Sequence, residues 1–208
     1  MALLFAFDMD GVVYDYAWQR RMTLMSELSG LPVAELSRRW WDAGRGEGVA
    51  EAGGFATGVE YLAALNAALG SSLSVEDFMA VRRSSMVVRP AVVATIRRAA
   101  QLGRVTVLTN NGALVDERLP ELAPELASTV GVEHLRASSR YRARKPDPLV
   151  FRRMLGCYGA QPADTFFTDD QAENVEGASA VGITAHLYAD ADRLRSEVEA
   201  FAADRGRR

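Results

Sequence analysis

From Ala91 onward the chain alternates short runs rich in β-branched and aromatic residues with stretches of helical spacing, the pattern of a parallel sheet with helical crossovers. "RPAVVATIRRAAQLG" carries proline near its start and Gly103 at its end, the asymmetry of a helix. "RVTVLTNNG" reads as a buried strand ending in polar residues, and "GVEHL" (131–135) as a weaker strand candidate. "DPLVFRRMLGCYG" is helical, because Leu149, Val150, Met154 and Leu155 share one face. "TFFTDD" and "ITAHLY" read as strands, "AENVEGASAVG" and "DADRLRSEVEAFAAD" as helices. The expected fold class is α/β, a Rossmann-like parallel sheet with helices on both faces.

The apolar run "LLFAF" (3–7) has the character of a further strand of that sheet, yet it stands far from the others in sequence. Between them, residues 15–88 offer helical pieces, "WQRRMTLMSELSG", "VAELSRRWW", "GVEYLAALNAALG" and "SVEDFMAVRRSSM", and no convincing strand. The chain is therefore read as an α/β catalytic core of residues 1–14 and 89–208, interrupted by a small α-helical cap at 15–88. Ser74 with Asp77 marks a helix start. The glycine-rich stretch 44–54 is expected to be a flexible bend. Trp18, Trp40 and Trp41 all fall in the insert, where core packing is the first reading and a pocket wall the second.

A net charge of −3 over 208 residues argues against a sequence-independent grip on nucleic acid, which would show as a strongly basic face. No apolar run approaches the about 20 residues that span a bilayer. "MALLFAF" lacks a basic residue and meets Asp8 at once, so it reads as a strand and not as a secretory signal. Cys157 is the single cysteine, which suits a reducing compartment, and a cytoplasmic location is expected.

Side chains two apart on a strand point the same way, which would place Asp8 and Asp10 on one side of the first strand's end. Two further strands end in Thr109-Asn110-Asn111 and in Asp169-Asp170. Parallel strands bring all three ends to the carboxyl edge, where ligands bind in open α/β folds. Four carboxylates there require raised pKa values or a hard cation with oxygen ligands. With no histidine or cysteine nearby in sequence, magnesium is expected over zinc. Of 24 basic residues Lys145 is the only lysine, set in a loop between Arg144 and Pro146. A compact, flexible point charge suits a crowded carboxylate and phosphate site better than a planar fork.

With "DMDGVV", "VTVLTNN", "RKPDP" and "FFTDDQAENVEGA" in this order, the chain resembles the haloacid dehalogenase superfamily over essentially its whole length. The insert resembles the small cap of that superfamily's first subclass, and the nearest likeness is to sugar-phosphate phosphatases and the phosphatase domain of soluble epoxide hydrolases. The resemblance implies a magnesium-dependent phosphatase acting on a small phosphorylated metabolite. It implies Asp8 as the nucleophile that forms an aspartyl-phosphate and Asp10 as acid and base. Thr109, Asn110 and Lys145 would bind the phosphate. Asp8, the Asp10 carbonyl and Asp170 would hold the metal, with Asp169 and Asn174 in support. Dehalogenases of the superfamily lack the second aspartate, so Asp10 favours phosphate esters. A phosphomutase of the same fold is equally compatible with these motifs, and a phospho-receiver module is disfavoured by the order of the acids and by the insert. "GASAVG" lacks the spacing of a serine-hydrolase elbow, and "GRGEG" follows no strand. Which of Arg38, Arg39, Arg45, Glu47 and the tryptophans face the substrate is not legible, and neither is the oligomeric state.

Overall fold

The computed structural model describes residues 3–42 and 44–206; residues 1, 2, 207 and 208 of the expected core and residue 43 of the insert lie outside the described residues. Strand β1 (Leu4–Phe7) is buried at every position, as an all-apolar segment in the middle of a parallel sheet must be. The chain continues through β2 (Tyr14–Tyr16), α1 (Trp18–Ser29), α2 (Val33–Leu36), a wide helical turn at Ser37–Trp41, α3 (Gly46–Glu51), α4 (Gly58–Leu69), α5 (Val75–Ser84) and β3 (Met86–Val88). Then follow α6 (Pro90–Leu102), β4 (Arg104–Thr109), α7 (Ala113–Leu122), α8 (Pro124–Val130), β5 (Leu135–Ala137) and α9 (Pro148–Tyr158). The last elements are β6 (Thr165–Asp169), α10 (Ala172–Ser179), β7 (Thr184–Leu187) and α11 (Ala191–Arg205).

Five strands form a parallel sheet in the order β5-β4-β1-β6-β7. Alternation along β1 divides its side chains between two apolar layers. Phe5 and Phe7 join Val105, Val107 and Phe166 on one face; Leu4 and Ala6 join Leu108, Phe151 and Phe167 on the other. Because β1 lies between β4 and β6, the polar residues that follow these strands emerge side by side. Helix boundaries follow local chemistry. Ser74 and Asp77 form a reciprocal capping box at α5, Pro90 starts α6, and α1 stops at Gly30 in the left-handed region.

Three local expectations are corrected. The insert contains strands: β2 and β3 pair antiparallel, Tyr14 with Val88 and Tyr16 with Met86, and close its two ends into a ribbon. Three residues each, "YDY" and "MVV" are too short for periodicity to reveal. Residues 44–54 are not simply a bend, because α3 forms within them. Gly46 lies so close to the Trp40 ring that a Cβ would stand 2.2 Å from it, and Glu47 accepts hydrogen bonds from Trp40 Nε1 and Tyr61 Oη, both 2.8 Å. Tertiary contacts thus hold a glycine-rich helix that propensity disfavours. The strand expected in 131–135 begins only at Leu135, after a tight turn at Val132–His134. Trp40 is core, as expected first, but Trp18 is exposed and Trp41 half-buried. Among the described residues no helix is long and apolar enough to cross a membrane.

Candidate active site

The ladder of β1 runs one residue past the strand, where Asp8 N–H donates to the Thr168 carbonyl at 3.0 Å. The Asp8 carboxylate is buried and meets Lys145, whose Nζ lies 2.6 Å from Asp8 Oδ1 and 2.5 Å from Asp169 Oδ2. Lys145 comes from the loop between β5 and α9, and Asn110 fixes it from both sides. The Asn110 amide donates to the Lys145 carbonyl and accepts from the Lys145 N–H, each at 2.9 Å. Asp169 is heavily engaged: besides Lys145 on Oδ2, its Oδ1 accepts from the Gln171 N–H and from Asn174 Nδ2, both 2.9 Å. Asp170, only partly buried, takes a single bond from Gln171 Nε2 at 3.0 Å.

One position in the first loop admits only glycine. Gly11 has φ +90°, and a Cβ there would lie 2.3 Å from Asp170 Oδ2. Beyond it the chain doubles back, with Gly11 N–H on the Tyr14 carbonyl at 2.8 Å, and Arg89 on the far side of the insert donates to the Gly11 and Val12 carbonyls. This turn changes the expected relation of the two acids. Asp10 sits past the strand's end, so it does not share a strand face with Asp8, although both line the same cavity. Asp10 Oδ2 accepts from Arg82 Nη2 at 2.7 Å, while its Oδ1 is buried without a partner. Asn111 donates to Thr109 Oγ1 at 2.8 Å and leans on Asp10.

Every residue singled out from the sequence for the site lines one cavity of about 430 Å³. A second cavity of about 200 Å³ lies under the insert, bounded by Arg21, Trp41, Glu47 and Glu51, and shares Asp10, Tyr16, Trp18, Asn110 and Arg144 as walls with the first. Arg38 and Arg39 pair with Glu35, and neither they nor Arg45 line these chambers. Sequence reasoning passed over Arg82, Arg21 and Glu51. A signal existed for the arginines: Arg82 follows Phe78 by four, and Arg21 falls between Trp18 and Met25, so both sit on the apolar stripes of their helices.

Burial pushes the Asp8 carboxyl well above its usual range, against the opposing pull of Lys145. Burial also works against the Lys145 ammonium, but Asp8 and Asp169 outweigh it and hold the proton. Asp170 is raised as well, first by burial and then by Asp169. Two buried carboxylates therefore share one cation, and a third stands beside them. Carboxylate oxygens of Asp8, Asp169 and Asp170 lie within 4.8 Å of one another, an all-oxygen donor set that fits a hard divalent ion.

Glu51 makes the inner chamber pH-sensitive. Burial, then Glu47, raises its pKa from the usual 4.5 to about 7, and Arg144 at 3.1 Å only partly offsets this. An acid raised on folding holds more protons in the native state, so stability falls as pH rises from 4.5 to about 7. Glu51→Gln is expected to melt about 4–12 °C above the wild type at pH 8, with the gap closing toward pH 5, as about 2–3 kcal/mol implies for a chain of this size. Thermal melts at the two pH values check it.

A family model described as haloacid dehalogenase-like hydrolase matches residues 3–182. Phosphatase MT3486 of Mycobacterium tuberculosis (strain CDC 1551 / Oshkosh) is 32% identical over 199 residues, covering 92% of this chain and 89% of that protein. The structure of a HAD family enzyme from Bacteroides thetaiotaomicron, in complex with magnesium and inorganic phosphate, superposes with a TM-score of 0.74 at 19% identity over 91% of this chain and 95% of that one. L-2-haloacid dehalogenase from Xanthobacter autotrophicus shares the fold at a TM-score of 0.57 and 15% identity, over 91% of this chain and 78% of its own.

Proposed function

The chain belongs to the haloacid dehalogenase-like hydrolases, and on that premise we propose that it is a magnesium-dependent phosphatase of small phosphate monoesters that works through an aspartyl-phosphate on Asp8. The observation that carries this reading is the pair of acids with different partners in one cavity. Asp8 is held by a lysine, and Asp10 has one oxygen fixed by Arg82 and the other free. A dehalogenase needs only the first of these; a phosphate ester also needs a proton for its leaving oxygen.

In this reading a carboxylate oxygen of Asp8 bonds to phosphorus as the ester oxygen departs with a proton from Asp10. Asp10, now ionised, takes a proton from the water that attacks the aspartyl-phosphate, which restores Asp8 and frees inorganic phosphate. Lys145 neutralises the phosphoryl oxygens and keeps Asp8 oriented; Thr109 offers its hydroxyl. Asn110, expected to bind phosphate through its side-chain amide or its backbone N–H, would serve through the backbone. Its amide is committed to Lys145, which leaves its backbone N–H for the ligand. Asp8, Asp170 and the Asp10 carbonyl would hold the magnesium, which when bound offsets the excess negative charge and polarises the phosphoryl group. Asp169, held by Lys145, Gln171 and Asn174, positions the lysine. Residues 15–88 act as the cap that covers the cavity.

Assay of phosphate release from a panel of monoesters tests the reading. Activity is expected with added magnesium, to fall at least about 100-fold in excess EDTA, and to return when magnesium is restored. Hydrolysis indifferent to EDTA, or none on any monoester, would overturn it.

A further inference from the structure

The inner chamber contains one charged group whose donors are left over after every neighbour is counted. Arg21 is buried, its side chain 4% exposed, and it lines this chamber. Its Nη1 donates to Tyr16 Oη at 3.1 Å, while its Nε and Nη2 are buried without a hydrogen-bond partner. The nearest carboxylate, Glu47, stands 3.8 Å from Nη2, too far to accept, and is pinned by Trp40 and Tyr61. Glu51 stands in an ion pair with Arg144 at 3.1 Å, its Oε2 without a hydrogen bond. The guanidinium carbon lies 5.5–5.6 Å from the rings of Trp18, Trp41 and Phe78, which hold it in place.

Nε and Nη2 form one edge of the guanidinium, the edge that meets a carboxylate with two parallel hydrogen bonds. The chamber shares Asp10 with the larger cavity, so a group at Arg21 lies on the side of the residue read above as the acid that protonates the leaving alcohol. About 200 Å³ is small beside the ~300–1,000 Å³ of pockets for drug-sized ligands. Resting on the phosphatase reading, we propose that Arg21 is the specificity-determining residue and that the substrate is the phosphate monoester of a small hydroxy acid, its carboxylate seated on the free Arg21 edge. Of the other orphaned donors, Trp41 Nε1 also belongs to a wall of this chamber but carries no charge, and Nε and Nη1 of Arg82 line neither chamber and carry no such assignment.

The test compares kcat/KM for 2-phosphoglycolate and for its neutral counterpart 2-hydroxyethyl phosphate, which differ only in carboxylate against hydroxymethyl. An aryl phosphate serves as a reference. The wild type is expected to prefer the acid by about 10- to 100-fold. Arg21→Gln is expected to abolish that preference, chiefly through KM, and Arg21→Lys, which keeps charge without the fork, to retain only part of it. A purely structural arginine would lower both rates together and leave their ratio unchanged, so a ratio that survives Arg21→Gln overturns the assignment. Should that variant not fold, the Arg21→Lys ratio decides in the same way. Hydrolysis of the aryl phosphate with no preference for the acid overturns this inference alone. Absence of any magnesium-dependent hydrolysis overturns the phosphatase reading and this inference with it.

Discussion

Asp8→Asn is expected to lower kcat by at least about 10⁴-fold on every phosphate monoester the enzyme accepts, while the protein folds normally and melts no lower in EDTA than the wild type. The amide matches the carboxylate in size, so the packing around Phe7 and Thr168 has no reason to change. It removes the nucleophile outright. The stability half of the expectation follows from charge. In the metal-free protein Asp8 and Asp169 compete for the single ammonium of Lys145, and burial drives the Asp8 carboxyl upward. Neutralising Asp8 leaves Lys145 and Asp169 as one compensated pair, which costs less than two acids on one cation. Wild type should therefore gain melting temperature on adding magnesium, and the variant should gain less. Turnover above about 1% of wild type, or a large loss of stability in EDTA, would show that Asp8 is a structural anchor and not the attacking group.

What the sequence makes legible here, and what it hides, divides along a physical line. Asp8, Lys145 and Asp169 are readable because each belongs to a strand end or a proline-bounded loop whose place in a parallel sheet is set by topology. β1 between β4 and β6 leaves their followers nowhere else to go. The insert lacks that constraint. Its helices follow their own caps and stripes, so α1, α4 and α5 are readable one by one, but which face meets the core depends on how they pack together. Arg21 and Glu47 become chamber walls only through Trp40, Tyr61 and Phe78, which lie up to 57 positions from Arg21 in the chain. The same packing creates α3 from a glycine-rich stretch, and a ribbon from two segments of three residues. The turn at Gly11 is similar in kind. The two aspartates are visible, but their separation to Lys145 and Arg82 depends on a reversal that a period-two reading cannot contain.

Lys145 offers the sharper test of how this site is held, because two substitutions separate charge from shape. Lys145→Met keeps most of the volume and removes the cation. Kcat is expected to fall about 10³-fold or more and stability by about 3–5 kcal/mol in EDTA, since Asp8 and Asp169 are left buried without their counter-charge. Magnesium should recover part of the melting temperature and little of the turnover, because it can offset carboxylate charge but cannot supply the Nζ donors. Lys145→Arg keeps the charge and adds a planar fork in a position 1% exposed, with acids already at 2.5 and 2.6 Å. The backbone cannot retreat to make room, since Asn110 grips both the N–H and the carbonyl of residue 145. The arginine variant is accordingly expected to lose most of its activity too, through misplacement of Asp8 by a fraction of an ångström, a displacement to which in-line attack is sensitive. Parallel measurement of kcat and of melting temperature with and without magnesium distinguishes the cases. Near-normal turnover in the arginine variant would mean that positive charge alone suffices here, and that the one lysine among so many arginines owes its place to something other than the crowding of Asp8 and Asp169.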